Sequence, residues 1–422
     1  MRQFLVIGIS DSRSPRFSDD VTRAVRAGHV FSGGKRHYDI VKDMLPAGAA
    51  WIDITPDLDS VFARYGEQPE EEVITVFASG DPLFFGFANT IMKRMPGARI
   101  TVMPSFNSLQ ALAHKVAMPY GAMRVVSLTG RPWAAFDRAL IERSPMIGIL
   151  TDKTHTPAAI AGRMLEYGYD DYVAVIGENI GNEQNERVSR LSLPDVTARA
   201  FDRPNSMILT SSATVGRRTR RFGIPDSEFA LLDGRSKMIT KMALRLLTIQ
   251  ALDMPRRATF WDIGACTGSV SIEAKLLFPH LDIVAFERRQ ECECIIRANS
   301  RRHGAPGISV VIGDFLSVDK SAMAAPQAAF IGGHGGMLGE MMTALRGIMP
   351  VGGVIVMNSV TARSHDMFIA AADDLGMRLD MDMRVCIDDN NPIRIMRAVT
   401  GGGSSACGLS AERPSGRTDI NK

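Results

Sequence analysis

The chain has little cysteine: five thiols among 422 residues, at Cys266, Cys292, Cys294, Cys386 and Cys407. Their odd number and irregular spacing exclude a disulfide framework and point to a reducing, cytoplasmic setting. Cys292 and Cys294 are two residues apart, so on a helix they face different sides, and no second pair has ligand spacing. The eight histidines are dispersed too, so no protein metal site is expected. Charge of one sign is also scarce. The 49 Lys and Arg nearly balance the 46 Asp and Glu, and a net +3 gives no reason to expect nucleic acid. No run approaches the ~20 apolar residues that span a bilayer, so no membrane association is expected. Met1-Arg-Gln-Phe-Leu-Val-Ile-Gly8 runs straight into a strand pattern, with no cleavage signal of a secreted protein.

What is present is an ordinary globular composition, 45% hydrophobic, long enough for two to three domains. The first half alternates strand and helix patterns, the mark of an α/β fold. Strands are expected over 4–9, 73–78, 99–103, 146–150, 172–176 and 207–210, with helices over 108–116 and 157–167. A broken, basic stretch containing Arg217, Arg218, Arg220 and Arg221 follows. It reads as a connector with a solvated face. The expected division is 1–213, a connector over 214–237, a second α/β domain over 238–400 and a disordered tail over 401–422. In the second domain a helix is expected over 240–251 and strands over 259–262, 281–286, 308–312, 328–331, 353–358, 383–387 and 394–399.

The most informative stretch is Thr259-Phe-Trp-Asp262-Ile-Gly264-Ala265-Cys266-Thr267-Gly268. A strand, a glycine turn and a helix make the first unit of a nucleotide-binding sheet. The next strand pattern ends in Glu287, about 20 residues past the turn, where a ribose diol is gripped. A third ends at Gly313-Asp314-Phe315, where an acid can hold an adenine amine. Asp-x-Gly-x-x-x-Gly lacks the order that cradles a pyrophosphate. S-adenosylmethionine (SAM) has no phosphate, and Asp262 before the turn suits its cationic amino acid end. A second glycine constellation, Ser79-Gly80-Asp81-Pro82, also follows a strand pattern. Leu83, Phe84, Phe85 and Phe87 are too apolar for a solvated turn and suit the wall of a pocket for a flat ligand.

This second constellation resembles the central motif of the tetrapyrrole methylases, a SAM-dependent family with two small α/β lobes. Gly33-Gly34-Lys35-Arg36-His37, Pro104-Ser-Phe-Asn107-Ser108-Leu-Gln110, Val126-Ser-Leu-Thr-Gly130-Arg131, Leu150-Thr-Asp152 and Gly177-Glu178-Asn-Ile-Gly181 match in order. Ile239-Thr240-Lys241, the Asp262 turn and Ile331-Gly-Gly-His334-Gly-Gly336 resemble the Rossmann-type methyltransferase fused to such a domain in corrin biosynthesis. The resemblance covers nearly all of 1–400. It implies a two-lobed tetrapyrrole methylase fold followed by a Rossmann-like SAM-dependent methyltransferase fold.

It also implies methylation of a precorrin-6 or cobalt-precorrin-6 tetrapyrrole at carbons 5 and 15, with loss of an acetate carboxyl, and a homo-oligomer. Two SAM sites follow. One uses Gly80, Asp81, Pro82, Asn107 and Ser108; the other uses Thr240, Asp262, Gly264, Ala265, Cys266, Thr267, Gly268, Glu287, Asp314 and Phe315. His334 and Lys241 are the candidate catalytic residues, the first as a proton carrier and the second as a grip on substrate carboxylates. Arg36 and Arg131 are further candidate carboxylate partners. The chain departs from the family pattern at Ser10, Cys266 and Met242. A nucleic-acid methyltransferase with an accessory domain, or a SAM-binding sensor without catalysis, are the alternatives. The first would carry a strongly basic surface; the second would bind SAM without turning over a tetrapyrrole.

Overall fold

The computed structural model describes residues 1–211, 222–235, 238–387 and 392–401. Its chain divides into two compact units: Met1–Arg221 with Ser300–Gly307, and Phe222–Asn299 with Ile308–Lys422. Of the residues read as connector, 214–221 and 236–237 lie outside the described residues, as does the tail from 402. Residues 222–235 belong to the second unit, because the N–H groups of Gly223 and Ile224 donate to buried Glu273 of that unit.

The first unit holds two five-stranded sheets. The first sheet is β1 (Gln3–Ile9), β2 (Val30–Gly33), β3 (Ala50–Asp53), β4 (Val73–Ser79) and β5 (Arg99–Met103), in the order β3-β2-β4-β1-β5. All its pairings are parallel. Side chains of β1 alternate between two cores: Phe4 and Val6 enter one, and Leu5, Ile7 and Ile9 the other. Burial on both faces is what a parallel sheet requires, and it explains why β1 reads as one continuous apolar run. The second sheet is mixed: β6 (Arg124–Ser127), β7 (Met146–Leu150), β8 (Tyr172–Glu178), β9 (Arg187–Ser192) and β10 (Asn205–Ser211), ordered β6-β7-β10-β8-β9. The helix Ser108–Lys115 buries Leu109 and Leu112 with Val175 and Ile208 of this sheet.

The second unit has a seven-stranded sheet: β11 (Thr259–Ile263), β12 (Asp282–Glu287), β13 (Ile308–Ile312), β14 (Ala328–Ile331), β15 (Val354–Ser359), β16 (Met377–Val385) and β17 (Ile393–Thr400). Its order is β13-β12-β11-β14-β15-β17-β16, parallel up to β15 and antiparallel at the β17-β16 edge. This is the doubly wound Rossmann arrangement with a hairpin on one side, so the fold class expected from the sequence stands.

Four short strands escape the sequence reading: β2, β3, β6 and β9. The first three have only four residues each, and β9 is the polar, largely exposed edge Arg-Val-Ser-Arg-Leu-Ser. The strand expected over 383–387 is instead Met377–Val385. Its alternation of Met, Leu and Val with charged residues is the signal of an edge strand with one buried face. The helix expected from Thr240 begins at Met242 with Lys241 as its cap, the Lys241 carbonyl accepting from Arg245 N–H at 2.7 Å.

Candidate functional site

In the second unit the strand ends of β11, β12, β13 and β14 surround a cavity of about 1170 Å³. Thr240, Lys241, Gly264, Cys266, Glu287, Asp314, Phe315 and His334, all expected from the sequence, line it. Asp262, Ala265, Thr267 and Gly268 lie buried beneath the turn instead. Gly264 and Gly268 have φ of +78° and +71°, which glycine adopts without strain. At Gly264 a Cβ would meet the Gly333 nitrogen at 2.9 Å. The turn therefore packs directly on the glycine loop after β14, and a side chain there would push the two apart. Cys266 sits at φ +50°, a conformation that costs a non-glycine residue about 1 kcal/mol or more.

The acids are individually arranged. Asp262 is buried, and its Oδ2 accepts from Ser271 N–H at 3.1 Å and Oγ–H at 2.6 Å. Its Oδ1 has no hydrogen-bond partner among the described residues. Burial pushes its carboxyl up to about 6, so a ligand cation at this point meets an acid short of a counter-charge. Glu287 is the opposite case. It accepts from Cys266 N–H at 2.9 Å, Arg289 N–H at 3.0 Å, Arg289 Nε–H at 3.0 Å and Arg289 Nη2–H at 3.1 Å. Despite burial, these partners hold its pKa below the usual range. A carboxylate offers about four lone-pair sites, so Arg289 occupies positions that a ribose diol needs. Asp314 turns one oxygen onto Leu316 N–H at 2.9 Å and is otherwise exposed.

Cys266, Glu287 and Cys292 present ligand-type atoms within 4.8 Å of one another, a grouping the sequence reading did not foresee because it paired Cys292 with Cys294. Burial raises both thiols, Cys292 to about 12, so they stay protonated near neutral pH. With the carboxylate fully hydrogen-bonded, the trio forms a packed corner under the turn.

His334 takes an N–H bond at Nδ1 from Gly336 at 3.1 Å. Its ring proton is therefore on Nε2, which faces Ser364 Oγ at 3.5 Å. Lys241 forms an ion pair with Asp226 at 3.7 Å. Sequence reasoning missed the clamp behind them. Arg245 has no exposed surface, and donates to Glu273 at 2.9 Å, Asp226 at 3.1 Å, the Thr240 carbonyl at 2.8 Å and the Ile224 carbonyl. This one guanidinium fixes the Asp226–Thr240 rim of the cavity. Its signal was an arginine inside the apolar run Met-Ala-Leu-Arg-Leu-Leu.

The first unit brings its expected residues together at the ends of β1, β4 and β5. A Cβ on Gly8 would lie 2.0 Å from the Gly80 carbonyl oxygen, and one on Gly80 would lie 2.9 Å from Asn107 Cα. Gly80 has φ +62°. Asp81 Oδ1 accepts from Leu83 N–H at 2.9 Å, and Pro82 follows it. Asn107 caps the helix that begins at Ser108, its Oδ1 accepting from Leu109 and Gln110 N–H, so its side-chain oxygen is already engaged. Arg131 lies over the Phe85 ring at 5.0 Å.

Two family models match: tetrapyrrole (corrin/porphyrin) methylases over residues 21–197, and a precorrin methyltransferase domain over residues 233–400. A precorrin-6Y C(5,15)-methyltransferase [decarboxylating] from Sinorhizobium sp is 28% identical over 84% of this chain and 84% of its own. A cobalt-precorrin-6B C(15)-methyltransferase (decarboxylating) from Salmonella typhimurium is 33% identical over 34% of this chain and 74% of its own. The chain belongs to the precorrin-6Y C5,15-methyltransferase (decarboxylating) family. A cobalt-precorrin-7 C(5)-methyltransferase from Salmonella typhimurium is also similar, 25% identical over 46% of this chain and 92% of its own. Membership of the precorrin-6Y methyltransferase family agrees with the α/β architecture and with two glycine constellations in two units. Among the described residues no helix is long and apolar enough to cross a membrane.

Proposed function

We propose that this chain methylates a precorrin-6 type tetrapyrrole at carbons 5 and 15 and removes an acetate carboxyl as carbon dioxide. Carbon 5 belongs to the first unit; carbon 15 and the decarboxylation belong to the second. The observation that carries the reading is the cavity at the Asp262 turn. Orphaned Asp262, the Gly264–Gly333 approach and Glu287 suit an adenosyl amino acid, and about 1170 Å³ exceeds the roughly 300–1,000 Å³ of an ordinary ligand pocket. That volume suits a cofactor and the edge of a macrocycle together. Two matches to different methyltransferase models in two separate stretches support one site per unit. The same reading includes a cytoplasmic, homo-oligomeric enzyme, whose assembly state sedimentation measures.

SAM, when bound, supplies an electrophilic methyl group. The chain's residues bind, orient and handle protons. Asp262, buried beneath the turn, supplies negative charge behind the cationic end of the cofactor, and Glu287 at the cavity wall serves its ribose. Gly80, Asp81 and the backbone of Asn107 and Ser108 form the corresponding wall in the first unit. Lys241, Arg288 and Arg289 rim the second cavity and match a substrate rich in carboxylates. Methylation of a meso carbon releases a proton, and decarboxylation consumes one once the macrocycle has taken the electron pair. His334 lines that cavity and is the candidate proton carrier: its neutral ring would take the proton that methylation releases, and as an imidazolium it would return one in the decarboxylation. His334→Asn in the full chain is expected to slow carbon dioxide release by roughly a hundredfold, the low end of acid–base catalysis, and to leave carbon 5 methylation intact. Mass spectrometry of the products decides: unchanged carbon dioxide release removes His334 from the mechanism, and carbon dioxide release without methyl transfer at carbon 15 refutes the coupling within the second unit.

A further inference from the structure

We propose that Arg36 and Ser79 form a carboxylate-binding subsite in the first unit, held in place by His37 and Asp11. It deepens the reading of that unit as the carbon 5 methyltransferase and rests on it. Ser79 ends β4, immediately before Gly80-Asp81-Pro82. Two side chains of the Gly33–His37 motif converge on its hydroxyl: Arg36 Nη2 at 2.6 Å and His37 Nε2 at 2.9 Å.

The direction of these bonds is fixed. Gly34 N–H donates to His37 Nδ1 at 3.2 Å, so Nδ1 is bare and the ring proton is on Nε2. Burial, and then the neighbouring charge of Arg36, bring His37 down to about 4, so the ring is neutral near pH 7. Nε2–H and the guanidinium therefore both point at Ser79 Oγ, and the Phe77 backbone is a second hydrogen-bond partner of the ring. The hydroxyl's own proton cannot go to either neighbour. Among the described residues no acceptor takes it, and Ser79 is exposed. This exposed hydroxyl, polarised by a cationic donor, can donate to an acceptor oxygen of a bound ligand.

Arg36 is in a similar state. Its Nη1 reaches buried Asp11 Oδ1 at 3.4 Å, too long for a hydrogen bond, and that oxygen has no other partner among the described residues. Asn182 Nδ2 donates to the second oxygen at 3.3 Å. Burial lowers the pKa of Arg36, Asp11 opposes the shift, and the nearby charge of Arg13 adds to it. Around the spot stand Arg36 and Arg13, buried Asp11, and Glu183, which already accepts from Ser12 Oγ and from Arg13 N–H at 3.1 Å, so Arg36 and the Ser79 hydroxyl are the donors turned toward a ligand. Their complement is an anion with acceptor oxygens, and a planar guanidinium favours a carboxylate. Two sources share that chemistry: an acidic side chain of the tetrapyrrole, or the amino acid end of SAM.

The test uses the full chain and its Arg36→Met, Ser79→Ala and Ser79→Thr variants. Carbon 15 methylation and carbon dioxide release report on the second unit, and a retained kcat for carbon 5 methylation shows that the first unit of each variant is folded. A tetrapyrrole carboxylate predicts that Arg36→Met raises KM for carbon 5 methylation about tenfold or more, the loss of one charge-assisted bond, with kcat little changed. Ser79→Ala raises it a few-fold and Ser79→Thr, which keeps the hydroxyl, restores it. A SAM carboxylate predicts the same pattern in the dissociation constant of S-adenosylhomocysteine, measured by calorimetry, with the tetrapyrrole KM unmoved. Variants that shift neither quantity overturn the subsite while carbon 5 methylation by the unaltered chain stands. An unaltered chain that never methylates carbon 5 sinks the reading of the first unit, and the subsite with it.

Discussion

Removing a positive charge should make the second unit bind its cofactor more tightly. Glu287 gives all its lone-pair positions to protein donors, two of them from the Arg289 side chain. A ribose diol at Glu287 must displace those two. Each is a charge-assisted bond, worth roughly 1.5–3 kcal/mol when buried. The Arg289 side chain is 37% exposed, and an ion pair open to water contributes only about 1 kcal/mol or less. Displacement therefore costs about 1 kcal/mol, and Arg289→Met should tighten S-adenosylhomocysteine binding about fivefold. Glu287→Ala should weaken the same site about tenfold or more. The two effects belong to one network, so Arg289→Met added to Glu287→Ala should change nothing further. Calorimetric titration of the full chain reads all four proteins, the second-unit component being the one that Glu287→Ala weakens. Weaker binding by Arg289→Met would show that the arginine holds the cofactor rather than competing with it. A full fivefold gain in the Glu287→Ala background would show that it acts elsewhere.

Three other outcomes are expected. Arg245→Met strands buried Glu273 with only backbone donors, and should lower unfolding free energy by roughly 3–5 kcal/mol in denaturant titrations; a loss below 1 kcal/mol would contradict the clamp. Asp262 has a folded-state pKa of about 6 against an ordinary 3.8, so the folded state binds the extra proton and stability falls as pH rises across that window. Asp262→Asn should flatten this part of the stability profile, by up to about 3 kcal/mol, and a difference profile that is level between those pH values refutes the assignment. Gly80→Ala puts a methyl against Asn107 at a positive φ, so carbon 5 methylation should drop sharply while carbon dioxide release continues; equal loss of both would mean a folding defect.

Much of the second site was legible because its signals are local. Gly264 and Gly268 announce positive φ, and the apolar runs on either side announce strand and helix. In a parallel sheet every such strand delivers its last residue to the same edge, so Asp262, Glu287 and Asp314 could be grouped from spacing alone. The candidate site of the first unit was proposed in the same way from Gly80, although the family motifs, and not the spacing, linked it to Asn107. Strand positions failed where the signal was thin: β9 has a single apolar residue on each face, and β2 and β3 are four residues long.

The sequence by itself determined the alternation of the longer strands and helices, the two glycine turns and the acids at the strand ends, because backbone conformation and side-chain alternation are set by near neighbours. Only the tertiary structure decided what those groups touch. Arg289 saturates Glu287, Arg245 ties Glu273 to Thr240, and His334 meets Ser364 from 30 residues away. Arg36 and His37 close on Ser79 across more than 40 residues. Each of these contacts depends on which strands lie side by side and on the direction in which a buried donor must point to find an acceptor. No short-range pattern carries that information, since it arises only when the whole sheet has formed and every buried polar group has been matched.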